Sequence, residues 1–502
     1  MANKACNEVV TVANMPMTVF DMISAMQNKY ADRVAFRYVE GKDTVMEKTY
    51  AQYVQDIRKA TGYLQQELGE PKGKKIVILS RTNYEYGAVV FGTMMAGAVI
   101  VTLNQGKTWA ELEYELGMVE PDLIFNDGID YGYRAQLEAL YGARLRPMDA
   151  WTTAPEAEMV NRIDHEGLLM LMFTSGTTGR SKGVMLSEKN YFTACQMYID
   201  GLKSVLDHEE RLVPQYLDQT FSHFTLVPMF HLAGFICYFV YGIQGWTLNL
   251  CCDARDLRRD MSLMHSDAMS TPPVLVEMIC NEVKRGHADR LNGLWNLSCS
   301  SAILDPAILS DLVKNGFYIN QCYSMTELAG YGLLNVTQEG DHLRALGKPD
   351  GFCEVKVGET GEICVRGGCV MLGYYKDPKA TAETIDKDGW LHTGDLARVD
   401  EEGYYYMTGR KKNLIILDSG ENISPEELEK LLGKCDAIKE CIVKEMGKKI
   451  GTVVCCEDDR QQQVKAFVTE LNRTLPMYKR ISVVECSAEP LPRNALGKLL
   501  RK

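Results

Sequence analysis

The sequence predicts an α/β protein: a large N-terminal domain of parallel-sheet layers with a β-rich subdomain, then a small C-terminal α+β domain. Three observations lead there. At 502 residues the chain is longer than one hydrophobic core ordinarily serves, so at least two domains are expected. Short runs rich in Val, Ile and Leu alternate with helical stretches from Lys75 onward. From Cys353 the texture changes to short strands with Gly-bearing turns, and a new helix start follows at Ser424.

Lys75–Leu79 reads as a strand buried on both faces, because its apolar residues are contiguous rather than alternating. Tyr84–Ala96 is an apolar-faced helix, Val99–Leu103 a second strand, Trp109–Val119 a second helix and Leu123–Phe125 a third strand. Such βαβ alternation implies a mainly parallel sheet covered by helices. Two uncharged stretches, Gly87–Gly106 and Gln219–Cys252, are long enough to be weighed as membrane spans. The second is broken by Pro228, His231, Gln244 and Asn249, and a buried helix followed by a parallel strand reads the same way, so burial is expected and stable membrane insertion is not. Glu354–Val357 and Glu362–Val365 open the β-rich subdomain, which ends near Gly403–Met407. Ser424 is an N-cap and Pro425 a first helical residue, the usual order at a helix start. The boundary is placed at residues 410–413, giving domains 1–409 and 414–502.

Composition narrows the function. Hydrophobic content of 46% and charged content of 24% suit a soluble globular protein, and a net charge of −12 argues against general nucleic-acid binding. The sixteen cysteines are scattered, with no Cys-x-x-Cys and no His-Glu-x-x-His, so a zinc site is not supported and buried reduced thiols are expected. The N-terminus lacks the apolar region of a signal peptide, and a cytoplasmic location is expected.

The most telling stretch is Phe173–Val184, which follows the apolar run Leu168–Phe173 and packs glycines, hydroxyl side chains and two cations into twelve residues. Glycines let backbone amides approach phosphate oxygens, hydroxyls add donors and a lysine supplies a point charge. The loop is not a Walker loop, because Ser181 rather than Gly precedes Lys182. Thr174, Ser175, Gly176, Thr177, Thr178, Gly179 and Lys182 are therefore candidate phosphate-binding residues.

This string resembles the signature loop of the adenylate-forming superfamily, which includes acyl- and aryl-CoA ligases, firefly luciferase and the adenylation domains of peptide synthetases. Further matches follow in the family's order: Pro228–His231, Tyr323–Glu327, Gly361–Ile363, Trp390–Asp395, Gly409–Asn413, Gly420–Pro425 and Leu491–Lys498. The likeness runs from about Phe20 to Lys502. It implies ATP, Mg²⁺ and coenzyme A as cofactors and a small carboxylic acid as substrate.

Residue by residue, the resemblance implies that Lys498 bridges the substrate carboxylate and the α-phosphate. Thr326 would donate to the α-phosphate, Glu327 would hold Mg²⁺ and Tyr323 would stack on adenine. Asp395 and Arg410 would hold the ribose, and Ser301 and Ala302 would line the adenine site and acyl pocket. His231 would lie beside the carboxylate, Gly420 would begin the pantetheine-facing loop, and a hinge at Lys412 or Asn413 would make the C-terminal domain mobile. The chain departs from the family in having Ser324 where glycine is common, and serines at Ser300 and Ser301 in a stretch usually richer in glycine. Leu232 stands where amino-acid-activating relatives carry an Asp, which argues against an α-amino acid. The implied activity is an acid–thiol ligase making acyl-CoA from a fatty or other apolar acid. Loading of a carrier-protein phosphopantetheine, and a non-catalytic acid- or nucleotide-binding role, stay open at this point.

Overall fold

The computed structural model describes residues 10–174, 181–208, 221–300, 304, 306–338, 340–416, 422–447, 449–493 and 499–500. They fall into two compact units, one of residues up to Glu354 with Val365–Leu391, the other of Val355–Cys364 with His392 onward.

The first unit holds two large sheets. Its strands, in chain order, are β1 (Val34–Glu40), β2 (Thr44–Thr49), β3 (Lys75–Leu79), β4 (Val99–Thr102), β5 (Leu123–Asn126), β6 (Leu145–Pro147), β7 (Met170–Thr174) and β8 (Lys182–Leu186). They continue with β9 (Ser222–Thr225), β10 (Thr247–Leu250), β11 (Ala268–Thr271), β12 (Asn296–Ser300), β13 (Tyr318–Ser324) and β14 (Gly332–Asn335). After β15 (Glu354–Val357) and β16 (Glu362–Arg366), which belong to the sheet of the second unit, the chain returns to the first for β17 (Gly373–Tyr374). One sheet runs β17-β8-β7-β4-β3-β5-β6 and the other β14-β13-β12-β11-β9-β10-β1-β2. Both are parallel at their centres. Antiparallel pairing is confined to one end of the first, where β8 meets β7 and β17 meets β8, and to both edges of the second. The α/β class read from the alternation is therefore the observed one.

Local sequence explains the helices between these strands. Thr49 and Gln52 form a reciprocal capping box at the start of the helix Tyr50–Leu68, and Asn83 caps Tyr84–Met95 through the Tyr86 amide. Both uncharged stretches resolve as expected for burial. The first becomes the buried helix Tyr84–Met95 and β4, and the second contains β9, the helix Leu232–Gln244 and β10. Among the described residues no helix is long and apolar enough to cross a membrane. Strand β9 also buries His223, whose Nε2 accepts the Ser270 amide at 3.2 Å and whose Nδ1 lies 2.6 Å from the Tyr241 hydroxyl. The proton therefore sits on Nδ1, and burial pushes the ring's pKa down to about 3.

In the second unit, β15 and β16 join β18 (Leu391–Val399) and β19 (Tyr405–Arg410) in the sheet β15-β16-β18-β19, the β-rich subdomain. The hairpin β20 (Ile415–Ile416) and β21 (Asn422–Ile423) precedes the helix Pro425–Leu432, whose Ser424 cap accepts from the Glu427 amide. A sheet of β22 (Glu440–Glu445), β23 (Ile450–Cys455) and β24 (Val483–Ser487) completes the unit with the helix Gln461–Thr474. Its core gathers Ile415, Ile423, Leu428, Leu432, Val443 and Val468. The described cysteines are free thiols, most of them buried.

Candidate active site

Two groups of candidate residues emerge, one in each unit. In the first unit, β7 and β8 run antiparallel with Thr174 and Lys182 as register partners. Ser175, Gly176, Thr177, Thr178 and Gly179 lie outside the described residues. Lys182 opens β8, and β17 pairs along that strand, Tyr374 against Val184 and Gly373 against Met185. The Leu372 amide donates to Met185 O (2.9 Å) and the Tyr375 amide to Gly183 O (2.7 Å). This places the Tyr374 ring beneath the lysine, with Nζ 4.5 Å from the ring centroid.

The phenol of Tyr374 in turn donates to Glu327 Oε1 at 2.9 Å. Glu327 sits in a single 3-10 turn, Thr326–Leu328, which follows Met325 and ends at Ala329 with φ 53°. The turn is pinned from below, since the Met371 amide donates to Glu327 O at 2.9 Å. Burial, and then the neighbouring Glu327 charge, push the Tyr374 phenol well above its ordinary pKa, so it stays protonated and donates to Glu327, while a hydrogen bond with the Thr384 side chain acts in the opposite sense. Tyr323 lies near the end of β13, opposite Leu333, and Thr326 opens the same turn as Glu327. Lys182, Glu327, Thr326 and Tyr323 thus belong to neighbouring strand ends of one unit.

His231 has a local duty that the sequence did not reveal. It caps the helix Leu232–Gln244, with Nδ1 accepting from the Ala233 amide at 3.2 Å. The proton therefore resides on Nε2, and burial lowers the ring's pKa and keeps it neutral. Leu232, the first residue of that helix, is buried. Ser301 and Ala302 lie outside the described residues, just past β12.

In the second unit, Asp395 and Arg410 are register partners on β18 and β19, with Arg410 Nε 2.9 Å from Asp395 Oδ1. The Asp395 amide donates to Thr393 Oγ1 (3.1 Å), and that hydroxyl donates to Ile363 O (2.8 Å). Beside them lies a residue the sequence marked only as part of a motif. Glu362, whose side chain is 4% exposed, accepts from the Gly394 amide (2.9 Å) and from Lys411 Nζ (2.9 Å), and its Oε2 lies 3.3 Å from His392 Nδ1. Burial raises its pKa, but these partners outweigh that cost and hold it below the ordinary 4.5. Lys412 follows, its pKa lowered by burial and by the Arg410 charge. Asn413 Nδ2 donates to Glu426 Oε1 at 2.6 Å. Gly420 and Lys498 lie outside the described residues, though their flanks do not: Arg493 and Leu499 form an antiparallel bridge on either side of the segment bearing Lys498.

Among the described residues no cluster of three or more His, Cys, Asp or Glu side chains could cage a metal. A lone carboxylate such as Glu327 suits Mg²⁺, which prefers one or two protein carboxylates and completes its shell with phosphate oxygens and water. The donor set therefore fits that ion.

The AMP-binding enzyme family matches residues 24–375. The Long-chain-fatty-acid–CoA ligase of Escherichia coli O157:H7 is 27% identical over 97% of this chain and 93% of its own length. The Peroxisomal OPC-8:0-CoA ligase 1 of Arabidopsis thaliana is 27% identical over 87% and 84% of the two chains. Among solved structures, o-succinylbenzoate CoA synthetase from Bacillus subtilis with its acyl-adenylate intermediate aligns at a TM-score of 0.80, 24% identity and 96% coverage of both chains. ATP-bound MatB from Rhodopseudomonas palustris also aligns at 0.80, with 24% identity and 97% coverage of both. These structural likenesses show the fold, a large N-terminal and a small C-terminal domain. By the match over residues 24–375, the chain belongs to the AMP-binding enzyme family, the adenylate-forming enzymes.

Proposed function

We propose that this protein is an ATP-dependent acid–thiol ligase that makes acyl-CoA through an acyl-adenylate, acting on a fatty or other apolar acid. The observation that carries the reading is the Lys182–Tyr374–Glu327 arrangement, a cation and a carboxylate set at adjoining strand ends beside the phosphate-type loop. The alignment with a fatty-acid–CoA ligase over 97% of the chain supports the choice of reaction class. Buried Leu232 and neutral His231 at the start of an apolar helix support an apolar acid.

In this reading the substrate carboxylate attacks the ATP α-phosphate, pyrophosphate departs, and a thiol then displaces AMP from the acyl carbon. The difficulty is electrostatic, an anion approaching a polyanion, so positioned positive charge is what the protein must supply. The loop with Lys182 holds the departing phosphates, Thr326 donates to the α-phosphate, Glu327 holds Mg²⁺, and Lys498 bridges the reacting groups. Bound Mg²⁺ offsets negative charge on the phosphates. Tyr323, Ser301 and Ala302 take the adenine, Asp395 and Arg410 the ribose, and His231 lies beside the carboxylate. Gly420 belongs to the loop facing the pantetheine of CoA. Residues 1–409 and 414–502 act as two domains about a hinge at 410–413, so that the two half-reactions occur in turn.

The test is pyrophosphate release across straight-chain, branched and aryl acids, with and without CoA, on the wild type and Lys498→Ala. The variant is expected to lose adenylate formation by at least about 10²–10³-fold, as for loss of one preorganised charge contact. It should still convert preformed acyl-adenylate to thioester. No activity on any acid, or equal loss of both half-reactions, would defeat the reading.

A further inference from the structure

Tyr374 is tied down more firmly than its two-residue strand requires. It is 7% exposed, its amide donates to Thr381 Oγ1 at 2.8 Å, and β17 stitches it to the strand that begins with Lys182. From that fixed point its two ends meet opposite charges. The ring face, negative in its quadrupole, takes the Lys182 ammonium 4.5 Å from the centroid. The hydroxyl hydrogen, positive, is donated to Glu327 Oε1 at 2.9 Å. One side chain therefore assigns the cation and the carboxylate to separate places.

We propose that Tyr374 is a positioning residue for nucleotide and metal: its hydroxyl sets the rotation of the Glu327 carboxylate, and its ring aims Lys182. The proposal rests on the reading of Glu327 as the Mg²⁺ residue and of Lys182 as a phosphate residue. The backbone of Glu327 is held by the Met371 amide, so what remains to be set is the side-chain torsion, and the phenol sets it by engaging Oε1. Holding Oε1 in this way fixes the plane in which the second carboxylate oxygen lies. Carboxylates that bind metals depend on such outer hydrogen bonds, and losing one typically costs 10–100-fold in metal affinity.

The two ends can be separated by substitution. Tyr374→Phe keeps the ring and nearly all the volume and removes only the hydroxyl, whereas Tyr374→Leu removes both. Affinity for Mn²⁺ in the complex with α,β-methylene-ATP, read from the electron paramagnetic resonance of free Mn²⁺, measures the metal end without turnover. Metal-free binding of the same nucleotide by calorimetry measures the lysine end. Tyr374→Phe is expected to weaken Mn²⁺ by about 10–100-fold at unchanged metal-free nucleotide affinity. Tyr374→Leu should lose, in addition, between about twofold and thirtyfold in metal-free affinity, the range expected for a lost cation–ring contact. Glu327→Asp withdraws the carboxylate from the phenol, so adding Tyr374→Phe to it should cost less than about threefold more if the two side chains act as a unit. Wild-type Mn²⁺ affinity in Tyr374→Phe, with Glu327→Gln weakened, overturns the positioning role alone, and so do additive costs in the double variant. If Glu327→Gln itself binds Mn²⁺ normally, the assignment of Glu327 fails and the role of Tyr374 falls with it.

Discussion

Glu362 offers a sharp test of the proposed ribose side of the site, because its carboxylate is nearly inaccessible yet collects three polar neighbours. Its Oε1 receives the Gly394 amide, and its Oε2 faces Lys411 and His392. In Glu362→Gln the amide oxygen can still serve Gly394, but an NH₂ group now confronts Lys411 Nζ. A charge-assisted bond is lost, discounted because Lys411 is 53% exposed, so the cost is about 1 kcal/mol. Glu362→Ala also strips the acceptor from the Gly394 amide, which adds about 1–3 kcal/mol and brings the total to about 2–4 kcal/mol. Gly394 has φ +74° and directly precedes Asp395, so a loosened turn is felt where the ribose is proposed to bind. If that whole cost falls on the geometry of Asp395, ATP affinity drops about fivefold in the Gln variant and at least about thirtyfold in the Ala variant. Titration calorimetry at pH 7 reads both values. The acid behaviour supplies a second check. A carboxylate held below 4.5 in the folded state contributes stability above that pH and loses it as pH falls through its lowered folded value. The difference in thermal midpoint between wild type and Glu362→Gln should therefore shrink below pH 4.5. Wild-type ATP affinity in both variants, with an unchanged acid profile, would refute the argument that Glu362 organises this turn.

Two further outcomes follow from buried groups in the first unit. His223, at about 3 against an ordinary 6.5, stays neutral in the folded state while the unfolded chain takes a proton, so stability is lost as pH falls from 6.5 towards 3. At pH 5 this amounts to about 2 kcal/mol, and urea unfolding at pH 7 and pH 5 should show His223→Gln losing about that much less than wild type. Gly332 on β14 faces the β13 strand so closely that an added Cβ would overlap the Tyr323 carbonyl oxygen. Gly332→Ala should therefore force the strands apart at a cost of about 1–3 kcal/mol, lower the thermal midpoint by about 1–4 °C and raise KM for ATP through displaced Tyr323; an unchanged midpoint contradicts the packing argument.

The parts of the fold that could be read from sequence are those whose signals are local. Buried parallel strands such as Lys75–Leu79 are contiguous apolar runs, and caps such as Ser424 followed by Pro425 are written within four residues. The motif residues of the candidate site are legible for the same reason, as short strings. What could not be read are partnerships across long separations. Tyr374 meets Glu327 from 47 positions away and lies in a strand only two residues long, which leaves no periodicity to detect. Glu362 was visible as part of a motif, but two of its partners lie 30 and 49 positions on, at His392 and Lys411. His231 is legible as a motif residue, but no sequence signal indicates that its Nδ1 caps a helix.

The late arrival of β17 has a consequence for how the chain is made. β8 is complete once Leu186 has been synthesised, yet its outer edge is covered only when Leu372–Tyr375 emerge from the ribosome. Until then β8 presents unpaired amides and carbonyls, the kind of open edge at which nascent and truncated chains mispair. A fragment ending at Glu354, where the chain first leaves this unit, keeps that edge bare and leaves Lys182 without the ring beneath it. A fragment carried through Leu391 closes the sheet, because the chain leaves the first unit at Val355 and returns at Val365 before finishing it.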